Sequence, residues 1–413
     1  MRKRLAWLSE VAVAGILLLG GTRPAVAQQP AGQVVRLGDG QTLTISGLIS
    51  TTLFLNNGRF GGFGQGQNAE WADSVQPGTD RAVLDADVRN TRINFTFSGQ
   101  PVLGKFAPRA VLEADFFGAN ASGPPFGDEQ PQFRIRFAYV DLSNGRTTIR
   151  IGQFWSPLFG AVPVSLSHLA FPIGYGSAGK VGWRYPGVFF YHDLTAGKPV
   201  VVQLQLAVFE GSGPAAPGRD QVPSNNVGHG EASALPQVEA LLNFSKRSPN
   251  LSWSAYVVGH VDWKDTTGTG VAGDDLQGTA FEVGGSVTAG KLTVQGNAYT
   301  GKAIGQQFGH ITQQGNVRGA GGWVQGGYDF TPRWSVWAFY GIDDPDESDS
   351  PGLPAALARL KNEDVAGMVR FRAGRYALAA EVLHATTTWR LVAAGPGTQR
   401  EATQIAFSVL YTF

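Results

Sequence analysis

Six arginines, Arg92, Arg109, Arg134, Arg136, Arg150 and Arg184, fall in one stretch of the chain together with two carboxylates, Glu113 and Asp115. The spacings Glu113-x-Asp115 and Arg134-x-Arg136 are those of β-strands, where every second side chain points the same way. Guanidinium groups gathered on one face attract anions, and carboxylates among them weaken that field by pairing. The chemistry on offer is electrostatic selection.

Bond-making chemistry is poorly represented. His260 and Asp262 share a strand face, but no signature supplies the positioned nucleophile and orienting partner that catalysis needs. His260 therefore reads as a rim or lumen residue, and no catalytic residue is expected. The acidic run DDPDESDS (343–350) lacks the Gly and final Glu of a calcium loop and reads as a solvated loop. Cysteine is absent, which excludes a disulfide framework and thiolate metal sites. Neither a metal nor a cofactor is expected.

The elements carrying the arginines are strands. FRIRFAY (133–139) sets Phe133, Ile135, Phe137 and Tyr139 against Arg134 and Arg136, and LTVQGNAYT (292–300) alternates in the same way. Sixteen such segments run from 43–55 to 401–413; among them are 84–98, 107–117, 235–244, 333–342 and 362–373. Their connections alternate between long and short. The short ones include SNGR (143–146), TAGK (288–291), TPR (331–333) and AGR (373–375), and each carries or adjoins a basic residue.

Short turns at one edge and long loops at the other are the pattern of a transmembrane antiparallel β-barrel of the bacterial outer membrane. The fold class is all-β. Only a closed sheet leaves no unpaired backbone group facing hydrocarbon. The terminal IAFSVLYTF (405–413) is the closing strand, with Phe413 in the aromatic girdle at the periplasmic rim. Trp155, Trp183, Trp253, Trp263, Trp323, Trp334, Trp337 and Trp389 lie near strand ends and fit such girdles, although sugar stacking by an exported soluble β-sheet protein is the rival reading.

Export is written at the start. Arg2, Lys3 and Arg4 precede an apolar run (11–21) and Ala25-Val26-Ala27, so residues 1–27 read as a cleaved signal peptide. Cleavage leaves 29 basic against 31 acidic side chains, a net of −2, because Arg2, Lys3, Arg4, Arg23 and Glu10 are lost. No nucleic-acid partner is expected. Residues 28–40 form a short periplasmic segment and 41–413 the barrel.

TRINFTFSG (91–99), VLEADFFG (111–118), FRIRFAYVDL (133–142) and RIGQFWSPLFG (150–160) together resemble proteobacterial outer-membrane porins, most closely the DcaP-like group. The resemblance covers about residues 91–160. It implies a many-stranded barrel, usually a homotrimer, that passes small solutes passively through the outer membrane, with lipid and lipopolysaccharide as its surroundings. Residues 28–40 are too short for the coiled-coil segment that some members carry before the barrel.

In such a barrel the arginines point inward, since an arginine facing lipid near the midplane costs about 2–4 kcal/mol. Arg92, Arg109, Glu113, Asp115, Arg134, Arg136, Arg150 and Arg184 are then pore-lining. The parity change between Asp87 and Ile93 calls for a bulge near Asn90. The third long loop, 156–180, is the candidate constriction, with Leu158, Phe159, His168, Phe171 and Lys180 and no acidic residue. A mild anion preference follows. Pairing of Glu113 and Asp115 with the arginines would leave a nearly neutral pore instead. Leu158, Phe159, Leu166, Leu169 and Phe171 also admit a path for an amphiphilic or organic-acid substrate.

Overall fold

The structure, a computed structural model, describes residues 32–62, 69–74, 82–118, 131–214, 216, 221–222, 225–267, 276–350, 357–392 and 395–413. The expected signal peptide and most of the connection 118–132 lie outside these residues.

Alternating side chains build sixteen barrel strands. They are β1 (Gln41–Asn57), β2 (Val83–Asp87 and Arg92–Ser98), β3 (Ala107–Asp115), β4 (Arg134–Ser143), β5 (Thr147–Trp155), β6 (Arg184–Asp193), β7 (Val200–Phe209) and β8 (Gln237–Lys246). There follow β9 (Leu251–Lys264), β10 (Leu276–Ala289), β11 (Leu292–Lys302), β12 (Arg318–Asp329), β13 (Trp334–Pro345), β14 (Ala358–Ala373), β15 (Tyr376–Arg390) and β16 (Gly397–Thr412). Every neighbour is antiparallel, and β16 pairs with β1 from Leu48↔Thr412 to Asn57↔Thr403, which closes the sheet. Phe413 exchanges backbone hydrogen bonds with Gly47 at the short-turn rim. A short strand, Gln33–Gly38, doubles back on the start of β1.

The two faces of the wall are inverted relative to a water-soluble protein. Val365, Ile151, Phe281 and Phe407 are 53%, 58%, 52% and 55% exposed, whereas Asp115, Glu239, Glu282 and Asp364 on the inner face are fully buried. Apolar area outward and charge inward suit hydrocarbon outside and a polar interior. Among the described residues no helix is long and apolar enough to cross a membrane. Aromatic pairs mark the short-turn rim: Tyr376 with Tyr411, Trp334 with Phe371, and Tyr328 with Phe330.

The bulge falls at residues 88–91, between the two halves of β2. It turns Asn90 inward, where its side chain donates to Ser167 O at 2.7 Å and accepts from Ala170 N at 2.9 Å. A bulge of this kind re-aims a side chain that regular pairing would send elsewhere. Several tryptophans depart from the girdle expectation. Trp155, Trp183, Trp323, Trp337 and Trp389 pack inside the barrel, because loops fold in and give them apolar partners there.

Candidate functional site: the arginine wall and the loop that faces it

Strands β2 to β6 present the arginines on one side of the lumen. Arg134 grips Asp115 through two bonds of 2.9 and 2.7 Å. Arg136 bridges both acids, donating to Glu113 at 2.9 Å and to Asp115 at 2.9 Å. Arg92 lies 3.6 Å from Glu113 and donates to Leu169 O. Arg150 makes a fork with Asp141, at 2.7 and 2.9 Å, and stacks 3.8 Å from Tyr139 and 3.9 Å from Phe154. Four guanidinium groups, those of Arg92, Arg134, Arg136 and Arg150, therefore meet three carboxylates. Asp141 is the acid that sequence reasoning missed, and its inward parity between Val140 and Leu142 was the signal.

Arg184 differs from the rest. It is 4% exposed, its Nε and Nη1 make no hydrogen bond among the described residues, and its guanidinium lies 4.5 Å from the Trp155 ring and 4.2 Å from the Trp183 ring. Ring faces attract the cation without neutralising it. Arg109 and Arg150 line an open cavity of about 550 Å³ with Asp141, Phe154 and Tyr191.

The long connection after β5, 156–183, enters the barrel and runs around its wall. Leu158 N donates to Glu239 on β8, and Ala161 N donates to Tyr256 on β9. Val164 exchanges two bonds with Gln325 on β12. At the far turn Glu381 on β15 accepts from Leu166 N, Ser167 N and Ser165 Oγ at 2.7, 2.8 and 2.7 Å. Ser177 donates to Asp364 on β14. Acidic side chains of the wall opposite the arginines are thus occupied by donors from the loop. The backbones touch at Gly179, whose φ is +82° and where a Cβ would run into Gly322.

Loop residues expected to face the passage are enclosed. Leu158, Phe159, His168, Phe171 and Lys180 are all buried. Lys180 Nζ donates to Phe159 O and Val181 O and sits over the Phe159 ring. Burial pulls its ammonium down to about 7, against the opposing pull of Glu282. Lys180 is part of the loop's internal packing. Phe171 stacks with Trp183, and Phe159 stacks with Trp155 at 3.6 Å.

His260 on β9 is bonded to Glu239 at 2.8 Å and to Asp262 at 3.1 Å. The acidic run is tied down as well: Arg318 forks onto Asp349, which holds that carboxylate below its ordinary value, and Arg390 reaches Glu347. Among the described residues no group of three or more metal-ligating side chains gathers.

No protein-family model matches the sequence, and no curated protein sequence matches it either. Solved structures do match the fold. The outer membrane channel DcaP of Acinetobacter baumannii superposes with a TM-score of 0.67 at 17% identity, covering 93% of this chain and 100% of that one. The anion-selective porin from Comamonas acidovorans gives 0.56 at 14%, covering 90% and 100%. The trimer form of OmpT from Vibrio cholerae gives 0.53 at 14%, covering 91% and 100%. At these identities the likeness establishes the fold, a sixteen-stranded outer-membrane barrel similar to DcaP.

Proposed function

We propose that the protein is an outer-membrane porin, a passive channel for small hydrophilic solutes with a mild preference for anions. One observation carries the charge preference. The loop 156–183 uses its backbone and serine donors to cover carboxylates of the far wall, while the near wall sets six arginines beside three carboxylates. The surplus cations then set the field along the remaining passage. The cavity beside Arg109 and Arg150 is part of that path. Assembly as a homotrimer within lipid and lipopolysaccharide is the arrangement we adopt, supported by the trimeric form known for a protein of the same fold.

Reversal potentials across a planar bilayer under a salt gradient test the reading. Anion permeability above cation permeability is expected; a clear cation preference would refute it. A second reading, a channel for aromatic or amphiphilic organic acids, is favoured by Arg184 between Trp155 and Trp183 and by Arg134 over Phe171 at 4.9 Å. Such a channel would show current blocking by benzoate at concentrations where acetate has no effect.

A further inference from the structure

Inward-facing guanidinium groups are not confined to the arginine wall. Three more stand halfway round the sheet from β5, at the short-turn end of β13 and β14. Ser335 lies opposite Arg370 in that ladder, and Arg372 N donates to Arg333 O at 2.8 Å, which extends the pairing by one step beyond Trp334↔Phe371. Arg333 and Arg372 are therefore direct cross-strand neighbours. Trp334 is 47% exposed on the lipid side and Ser335 only 1%, so Ser335, Arg370, Arg333 and Arg372 share the inward face.

The protein itself engages these groups only lightly. Arg333 makes no side-chain hydrogen bond or ion pair among the described residues. Arg372 reaches only Asp329, at 3.4 Å, with both side chains nearly half exposed. Arg370 gives its Nε to Ser335 Oγ at 3.2 Å and lies 5.3 Å from the Trp337 ring, whose Nε1 donates to the same hydroxyl. Its two Nη groups have no hydrogen-bond partner among the described residues. Three guanidinium groups against one carboxylate leave two positive charges unmatched, whereas Arg134, Arg136 and Arg150 are forked or bridged onto acids. Like charges directly opposite on neighbouring strands repel, and an anion held between them removes that cost. Space for one is present, since Arg333 and Arg372 line an open cavity of about 470 Å³ with Pro332, Ala373 and Gly374.

We propose that Arg333 and Arg372, backed by Arg370, form a binding station for a small doubly charged oxyanion such as hydrogen phosphate at the short-turn mouth of the channel. A guanidinium fork presents paired N–H donors to the oxygens of one anion, and two unmatched positive charges match a dianion where chloride matches one. Arg333 and Arg372 are exposed, so the station is open to solution without any movement of the loop 156–183. It rests on the channel reading above and adds to that reading a ligand class and a place.

Chloride currents in a planar bilayer test it. Inorganic phosphate, added at about pH 8 where it carries two charges, is expected to lower the current saturably, and nitrate at equal ionic strength is not. In Arg333→Gln/Arg372→Gln, half-inhibition should need roughly tenfold more phosphate, because two charge-assisted contacts are lost. Lys246→Gln/Arg247→Gln removes the same charge from exposed positions on another short turn and should leave half-inhibition where it was. Phosphate acting no more strongly than nitrate, or an equal shift in the two double variants, would overturn the station and leave the channel standing. A reversal potential that follows potassium, with phosphate inhibition intact, would overturn the anion preference and support the station. Absence of current from every form would overturn the channel reading and the station with it.

Discussion

Arg136 and Arg184 are both buried arginines of one wall, yet they do different things. Arg136 compensates two buried carboxylates, so Arg136→Gln leaves Glu113 and Asp115 underpaired and should cost about 3–5 kcal/mol, read from unfolding in detergent. Arg184 makes no ion pair among the described residues, so Arg184→Gln should cost less stability than Arg136→Gln and lower the ratio of anion to cation permeability; an unaltered ratio would remove Arg184 from the selectivity account. His310 gives a pH prediction. Burial pushes its imidazole down to about 3 from 6.5, with Tyr299, Asp343, Asp349, Arg318 and Arg359 the titratable groups around it. The packed form of residues 303–317 therefore binds fewer protons than a locally opened one between those two values. The packed form is at its most stable above about 6.5 and weakens by about 1.4 kcal/mol for each pH unit lost below it. Hydrogen exchange across 303–317 should accelerate as pH falls from 7 to 4, after correction for intrinsic rates, and His310→Asn should remove that acceleration.

At the scale of elements, the strands were legible and the inward loops only half so. Strand 84–98 was read as one element with a bulge near Asn90, and β2 is broken at residues 88–91. Strand 362–373 proved longer, Ala358–Ala373, because the wall rises there above the lipid-facing band where alternation is strongest. The loop 156–183 could be singled out by its length and apolar content. Its tethers could not, since Glu239, Gln325 and Glu381 sit on strands far away in sequence and only closure of the barrel brings them to it. Glu381→Ala tests the tethering directly. It orphans the buried donor of Leu166 at about 1–3 kcal/mol and leaves Ser167 N only its bond to Ser165 Oγ, so exchange at 165–168 should rise while the barrel melt moves little.

For the whole molecule, lipid as the outer solvent is what decides which residues may lie outside. Val365 sits mid-strand on the outward face of β14, opposite in parity to the buried Asp364. Val365→Arg should cost about 2–4 kcal/mol of folding stability in lipid and little in a polar setting. The same substitution leaving stability in bilayers unchanged would place that face against something other than hydrocarbon. The central claim, a closed barrel that passes solutes and prefers negative ones, comes down to a single recording. The purified mature chain, added to a planar bilayer separating concentrated from dilute potassium chloride, should insert in discrete conductance steps. The reversal potential should take the sign set by chloride; a silent bilayer, or steps whose reversal follows potassium, would contradict the account.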